Sequence, residues 1–301
     1  MIVVAGESLV DLVPSEDERL AAHCGGGPFN TARALARLGQ RVEFLGCISD
    51  DGFGVRLREA LTDDGVGVDA VVDTRLPTTL ALAALGSDGT ADYRFYTDGT
   101  AAAALTPTDA VAALPETLDA LVGGSFGLML EPLSDAILAV LETDTAAAAL
   151  TVLDPNVRPS LIPDRAVYAE RLQRALGRTD VLKASAEDLA WIEPGVRPEA
   201  AARKLLQAGP TLALVTRGAD GAAVVWGDDA VAVSSPPVEV VDTIGAGDAF
   251  TAGFLARWLH DGFGRAQLSD RQAVVAAAEF ACLVAGRTCE RAGADPPRIT
   301  L

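Results

Sequence analysis

Short apolar runs rich in β-branched residues alternate along this chain with longer amphipathic stretches. That alternation constrains the fold more than any other feature. The runs lie at residues 2–5, 42–47, 118–122, 149–153, 181–184 and 212–216. Helical periodicity fills residues 29–38, 54–62, 133–142, 165–176, 198–208, 249–260 and 271–285. A strand that is apolar on both faces must be covered on both, and a strand–helix–strand repeat delivers helices to both faces of a parallel sheet. The expected fold is therefore α/β, a doubly wound and mostly parallel sheet flanked by helices. No internal repeat or low-complexity linker divides it, so residues 1–301 read as a single domain.

One segment breaks the rhythm. Residues 77–97 read as two alternating strands around Ser87-Asp88-Gly89-Thr90, a hairpin signal. With residues 8–14 as a third strand, they predict a small antiparallel β sheet beside the main one. Such a flap is either a substrate lid or an ordinary edge hairpin, and the pattern alone leaves both open.

Composition narrows the partners. With 24 Lys and Arg against 42 Asp and Glu, the formal charge is −18. Nucleic acid is excluded because phosphate binding needs clustered cations, and an anionic membrane surface is excluded for the same reason. Half the residues are hydrophobic and mean hydropathy is +0.27, which rules out intrinsic disorder. The first residues lack a basic region, and no apolar run reaches the roughly 18–20 residues of a membrane span. Four cysteines without a CxxC pair describe a reducing compartment, and His23, Cys24 and His260 make no zinc set. A cytoplasmic location is expected.

The chemistry concentrates in residues 238–250, VEVVDTIGAGDAF. A short strand ending at Asp242, then Gly245-Ala246-Gly247, then a helix opened by Asp248 would make an anion site from unpaired N–H groups at the positive end of the helix dipole. An Asp beside that site can take a proton from an attacking hydroxyl while the amides hold the charge of the group in transfer. An N-cap Asp after a glycine turn is the alternative. A P-loop is absent, and GxGxxG is not met because Phe250 stands at the third glycine. The second informative stretch, Gly25-Gly26-Gly27-Pro28-Phe29-Asn30, exposes glycine backbone before a helix. Its Asn can donate and accept, as a polyhydroxyl ligand requires.

Together, the GG-x-P-x-N-x-A segment at 25–32 and the DTxGAGDAF segment at 242–250 resemble the paired signatures of the ribokinase-like (PfkB) carbohydrate kinases. The resemblance spans essentially the whole chain. It implies an ATP-dependent phosphotransferase in which Asp248 is the catalytic base and Gly245, Ala246 and Gly247 form the anion hole. By the same resemblance Asp11, Gly26, Gly27 and Asn30 contact the sugar. The nucleotide segment is represented by Thr216, Gly218 and Gly221, and residues 77–97 fall where the family carries its lid. Family members often carry Asn-x-x-Glu for Mg²⁺ and phosphate placement. Here Lys183-Ala184-Ser185-Ala186-Glu187-Asp188 puts Ser185 for Asn and Asp188 for Glu, so either Glu187 or Asp188 is expected to organise Mg²⁺. Lys183 and Ser185 are expected beside the nucleotide. Many members also bind K⁺ or another monovalent cation, for which Asp242 and residues 288–294 are placed.

Three pieces resemble the fructokinase and 2-keto-3-deoxygluconate kinase branch: GESLVDLVP at the start, residues 154–158, and residues 93–96. Arg158 follows a strand and either reaches over the sugar or lies on the surface. A carboxylate substrate would want a bidentate Arg, a part that Arg158 or Arg94 can fill. Fructose is the preferred sugar, with the keto-deoxy acid or another family substrate as the alternative. A degenerate sugar-binding regulator and a Rossmann-type oxidoreductase are the rivals from other classes. A homodimer through the lid is compatible with the apolar edge at residues 93–96.

Overall fold

The computed structural model describes residues 1–14, 20–85 and 91–301, and the turn expected at 87–90 lies outside them. The described strands are β1 (Ile2–Ala5), β2 (Leu9–Pro14), β3 (Leu20–Gly25), β4 (Val42–Ser49), β5 (Val71–Thr74), β6 (Leu80–Leu85), β7 (Ala91–Tyr96), β8 (Ala120–Gly124), β9 (Leu150–Asp154), β10 (Val181–Ser185), β11 (Leu212–Thr216), β12 (Ala222–Trp226) and β13 (Asp229–Val233). Nine form one sheet in the order β13-β12-β11-β10-β9-β8-β1-β4-β5, and four form another in the order β3-β2-β6-β7. From β11 to β5 every neighbouring pair in the large sheet is parallel. Only the β12 and β13 hairpin runs antiparallel along its edge.

The apolar strands are buried on both faces, as their composition requires. In β1, Ile2 and Val4 join one core while Val3 and Ala5 join the other. Helices Gly27–Arg37, Gly52–Asp64, Ala246–His260 and Arg271–Cys289 supply the first core, with Phe29, Leu57, Trp258 and Val274 among its buried side chains. Helices Leu133–Leu141, Arg165–Leu176 and Pro198–Leu206 supply the second. Burying one such large side chain contributes about 1.5–3 kcal/mol, so the two cores carry most of the folding drive.

Helix Arg271–Cys289 is 19 residues long with a mean hydropathy of 1.2, enough by length and composition to cross a membrane. In the fold its apolar residues Val274, Ala278 and Ala281 are spent in the core.

The small sheet corrects the expectation of three strands. Leu20–Gly25 pairs antiparallel with β2, β6 pairs parallel with β2, and β7 closes the other edge. The strand expected to end at Asp242 is also absent. Pro236 and Pro237 offer no N–H to a ladder, and the amides of Val241 and Asp242 instead donate to the Cys289 carbonyl at 2.8 and 3.2 Å.

β1 lies between β4 and β8, where the chain leaves one half of the sheet for the other. In an open α/β sheet, ligands bind outside the carboxyl ends of the strands at such a switch point. The small sheet stands beside that edge.

Candidate active site

Two cavities meet there. The first, about 260 Å³, is walled by Glu7, Asp11, Asn30, Arg158 and Asp248, with Tyr93 and Phe95 reaching in from the small sheet. The second, about 460 Å³, runs from Thr216, Gly218 and Gly221 to Phe250 and Cys282. Thr243 and Gly247 line both cavities, so the glycine turn is the passage between them. The early and late motifs are thus brought together across 218 residues of sequence. Asn30 Nδ2 donates to Asp248 Oδ2 at 2.9 Å.

Gly245 caps helix Ala246–His260 with φ 76°, a left-handed turn that a side chain would strain. Asp248 therefore stands in the first helical turn and is not the N-cap residue. The Ala246 amide turns back to the Thr243 carbonyl at 3.3 Å. The Gly247 and Asp248 amides are then the first-turn donors that face outward at the positive end of the dipole. Burial pushes the Asp248 carboxyl up to about 6, against the lowering effects of Asn30, Lys183 and Arg158. Asp11 is likewise raised to about 6 by burial, with Arg158 opposing and Asp248 adding to the rise.

A base must be ionised to accept a proton, so kcat/KM is expected to climb with pH through an apparent pKa near 6 and level above it. Asp11 is raised into the same range, so it contributes to the same limb. A flat profile from pH 5 to 8 would remove Asp248 from the proton-accepting role.

Gly26 has φ 111°, and a Cβ there would lie 2.8 Å from the Glu7 carbonyl, so only glycine passes between β3 and the first helix. Gly27 faces Asn156, whose Nδ2 would be 2.7 Å from a Cβ at that position. Arg158 lines the first cavity and spends one guanidinium nitrogen on the carbonyls of Asn156 and Val157 at 3.2 and 3.1 Å.

Lys183 and Ser185 line neither cavity. Lys183 is 3% exposed and holds Asp154 at 2.7 Å. Its Nζ lies directly behind the glycine turn, 2.9 Å from where a Cβ on Gly247 would stand. Ser185 caps helix Ala186–Ile192 in a capping box with Asp188. Asp188 commits both oxygens, one to the Val157 amide at 2.7 Å and the other to the Ser185 amide and hydroxyl at 2.9 and 2.8 Å. Glu187 is exposed beside it. Asp242 accepts from the Ile244 amide at 3.0 Å and the Gly293 amide at 2.8 Å, so the segment before the glycine turn and the C-terminal loop do meet. Among the described residues no group of three or more His, Cys, Asp or Glu side chains is placed to hold a metal.

Arg94 is a correction. It sits on the face of β7 opposite Tyr93 and Phe95, exposed, with its guanidinium over the Tyr96 ring at 5.7 Å. A strand alternates its side chains, so the residue between two cavity-facing aromatics must point away. Sequence reasoning missed Glu7, Ser125 and Asn156, which all line the first cavity. Glu7 and Asn156 lie in two of the stretches that resemble the branch, GESLVDLVP and residues 154–158, but neither is assigned a role there, and Ser125 belongs to no pattern that marks a site.

The chain matches the pfkB family carbohydrate kinase model over residues 1–300. It belongs to that family and is an enzyme that phosphorylates a sugar. A fructokinase of Rhizobium leguminosarum bv. trifolii is 37% identical over 260 residues, covering 85% of this chain and 79% of that protein. Among solved structures, fructokinase with bound ATP from Xylella fastidiosa superposes with TM-score 0.89 at 28% identity, covering 99% of this chain and 95% of that one. Fructokinase of Vibrio cholerae O395, in its fructose, ADP and calcium ion bound form, gives TM-score 0.86 at 26% identity, covering 97% and 94%.

Proposed function

We propose that this chain is an ATP-dependent fructokinase, with the sugar in the first cavity and the nucleotide in the second. The observation that carries the choice of sugar is the charge of the first cavity. Among the described residues, Glu7, Asp11 and Asp248 face a single cation, Arg158, while Arg94 points away. A neutral ketose suits that wall, and a keto-deoxy acid adds another negative charge to it.

In this reading Asp11, Asn30, Arg158 and the Gly26-Gly27 backbone orient the sugar hydroxyls. Asp248 accepts the proton of the attacking hydroxyl late in the transfer, because a carboxylate is far weaker than an alkoxide. The outward-facing amides of Gly247 and Asp248 hold the transferring phosphoryl group, while that of Ala246, expected in the anion hole, is spent on Thr243, and the charge of Lys183 stands behind them. Thr216, Gly218 and Gly221 border the nucleotide. The small sheet acts as a lid whose Tyr93 and Phe95 exclude water that would otherwise hydrolyse ATP.

Glu187 is exposed and lines neither cavity, and Asp188 is fully committed, so Mg²⁺ would take most of its ligands from water and nucleotide phosphates, with Glu187 the carboxylate of the two left free. Held by the phosphates, Mg²⁺ would neutralise charge on the transferring group. Asp242 gives its oxygens to amides, so K⁺ at the junction with residues 288–294 would rest on backbone carbonyls. Four free cysteines suit the reducing cytoplasm, and β7 offers an edge through which two lids can pair.

The test is ADP release with MgATP over fructose, tagatose, ribose, a nucleoside and 2-keto-3-deoxygluconate. Fructose is expected to exceed the keto acid in kcat/KM by about tenfold or more, the effect of one poorly screened like charge. Preference for the acid would make Arg158 a carboxylate clamp and overturn the fructose assignment. Sugar binding without turnover would favour a regulator.

A further inference from the structure

Three side chains after three different strands are joined in a chain that phosphoryl transfer leaves unused. They are Glu7 beyond β1, Ser125 beyond β8 and Asn156 beyond β9. Glu7 lines the first cavity yet is only 1% exposed. Its Oε1 accepts from Ser125 Oγ at 2.6 Å and from the Gly27 amide at 3.2 Å, and its Oε2 accepts from the Phe126 amide at 3.2 Å. All three donors belong to segments that wall the cavity.

The polarity of this chain follows from elementary donor counting. An ionised carboxylate has no proton to give, so Ser125 must donate its single hydroxyl proton to Glu7. The Ser125 oxygen can then only accept from its other neighbour. Asn156 meets that demand with Nδ2 directed at Ser125 Oγ, at 3.4 Å. An amide that presents its NH₂ on one side presents its carbonyl oxygen on the other, so Oδ1 is left as an acceptor in the wall that Asn156 forms. The backbone marks the same two residues. Among the described residues, Ser125 at φ 51° and Asn156 at φ 39° are the non-glycine positions with positive φ. Such conformations persist where the surroundings over-determine them, and they concentrate at ligand sites.

We propose that Glu7 is a positioning residue for sugar recognition: through Ser125 it orients the Asn156 amide so that its carbonyl oxygen accepts from a sugar hydroxyl. This rests on the reading of the first cavity as the sugar site. Burial raises the Glu7 carboxyl to about 7, against its hydrogen bonds from Ser125 and Gly27 and the charge of Arg158. Arg158 is the cation facing it, Asp11 and Asp248 are the carboxyls across the cavity, and the Gly27 and Ser125–Phe126 segments bring only neutral donors. A protonated Glu7 can itself donate to Ser125 and erase the bias. Sugar affinity should therefore rise with pH through about 7, above the limb of the Asp11 and Asp248 pair.

The experiment reads sugar KM and calorimetric Kd, with fructose as the first probe, for the whole enzyme and for Glu7→Gln, Ser125→Ala, Asn156→Ala and the double variants. Gln keeps the shape of Glu, but its NH₂ must either confront the Phe126 amide or confront the Gly27 amide and donate to the Ser125 hydroxyl, reversing its polarity. Expected are rises in sugar Kd and KM of about tenfold for Glu7→Gln and for Ser125→Ala, with kcat falling less than KM rises. In the Asn156→Ala background, Glu7→Gln should add less than about twofold, and it should abolish the affinity change near pH 7. A merely structural Glu7 would cost the same in both backgrounds, and that result overturns the proposal. So does a folded Glu7→Gln or Ser125→Ala enzyme with wild-type sugar affinity. If Glu7→Gln does not fold, Ser125→Ala decides alone. A wild type that binds none of the panel sugars overturns the sugar-site reading and this inference with it.

Discussion

Replacing Asp248 by Asn is expected to lower kcat by about 10²–10⁴-fold while sugar and nucleotide affinities change by less than about threefold. The substitution keeps the shape of the side chain, and an Asn oxygen can still accept from Asn30 Nδ2, now at 2.9 Å from Asp248. What it removes is the proton acceptor. The turn at Gly245–Asp248 is untouched, so the amides that hold the transferring group remain, and they set the residual rate. Stability should not fall. Burial raises the Asp248 carboxyl to about 6, which means that the folded protein bears a cost for ionising it at neutral pH, and the neutral amide avoids that cost. Turnover by ADP release, calorimetric binding of sugar and nucleotide, and a melting curve together check the prediction. Activity within tenfold of wild type would leave the anion site standing and take the base assignment from Asp248. Lost activity accompanied by lost binding would mean that the side chain shapes the cavity and does not accept the proton.

The sheet, its helices and the late glycine turn were legible because each is written locally. Apolar runs of strand length, helical periodicity and a GAGD sequence need no knowledge of distant residues. The first cavity was only partly legible. Asp11, Gly26, Gly27, Asn30 and Asp248 follow from motifs and do converge there. Glu7 and Asn156 stood in stretches read only for the branch they resemble, and Ser125 in none, because their shared part lies in a meeting of three strand ends that no single stretch encodes. Asp188 and Ser185 read as ligand-bearing oxygens, yet Ser-x-x-Asp is also a capping box, and in the fold the cap takes those oxygens. Arg94 failed differently: its residue type fitted a carboxylate clamp, but strand alternation put it on the wrong face. Leu20–Gly25 was missed as a strand because LAAHCG is half exposed and carries little β signal, and pairing with β2 defines it.

Lys183→Met is expected to destabilise the fold by about 3–5 kcal/mol at pH 8, the usual cost of removing one partner from a buried ion pair. Lys183 and Asp154 are both buried and 2.7 Å apart. Among the described residues Asp154 Oδ1 has no hydrogen-bond partner, so the ammonium on Oδ2 is the carboxylate's direct compensation. Burial already holds the Asp154 carboxyl above its ordinary value, with Lys183 the first of the opposing influences. Without the lysine that carboxyl moves higher still. A carboxyl whose folded pKa lies above its unfolded one loses stability as pH rises, so the deficit should shrink on lowering the pH from 8 to 5 as Asp154 takes up a proton. Asp248 feels the same loss, since Lys183 is among the groups that lower its pKa, and any remaining activity should show its acid limb above 6. Lys183→Arg should not restore the wild type. A guanidinium is wider than an ammonium, and at a position only 3% exposed it must displace buried neighbours to reach Asp154. Denaturant unfolding of the three proteins at pH 5 and 8 measures the stability changes, and the pH dependence of ADP release by the Met variant measures the limb. A Met variant within about 1 kcal/mol of wild type at pH 8 would show that Asp154 is protonated in the native enzyme, and that Lys183 needs no charged partner.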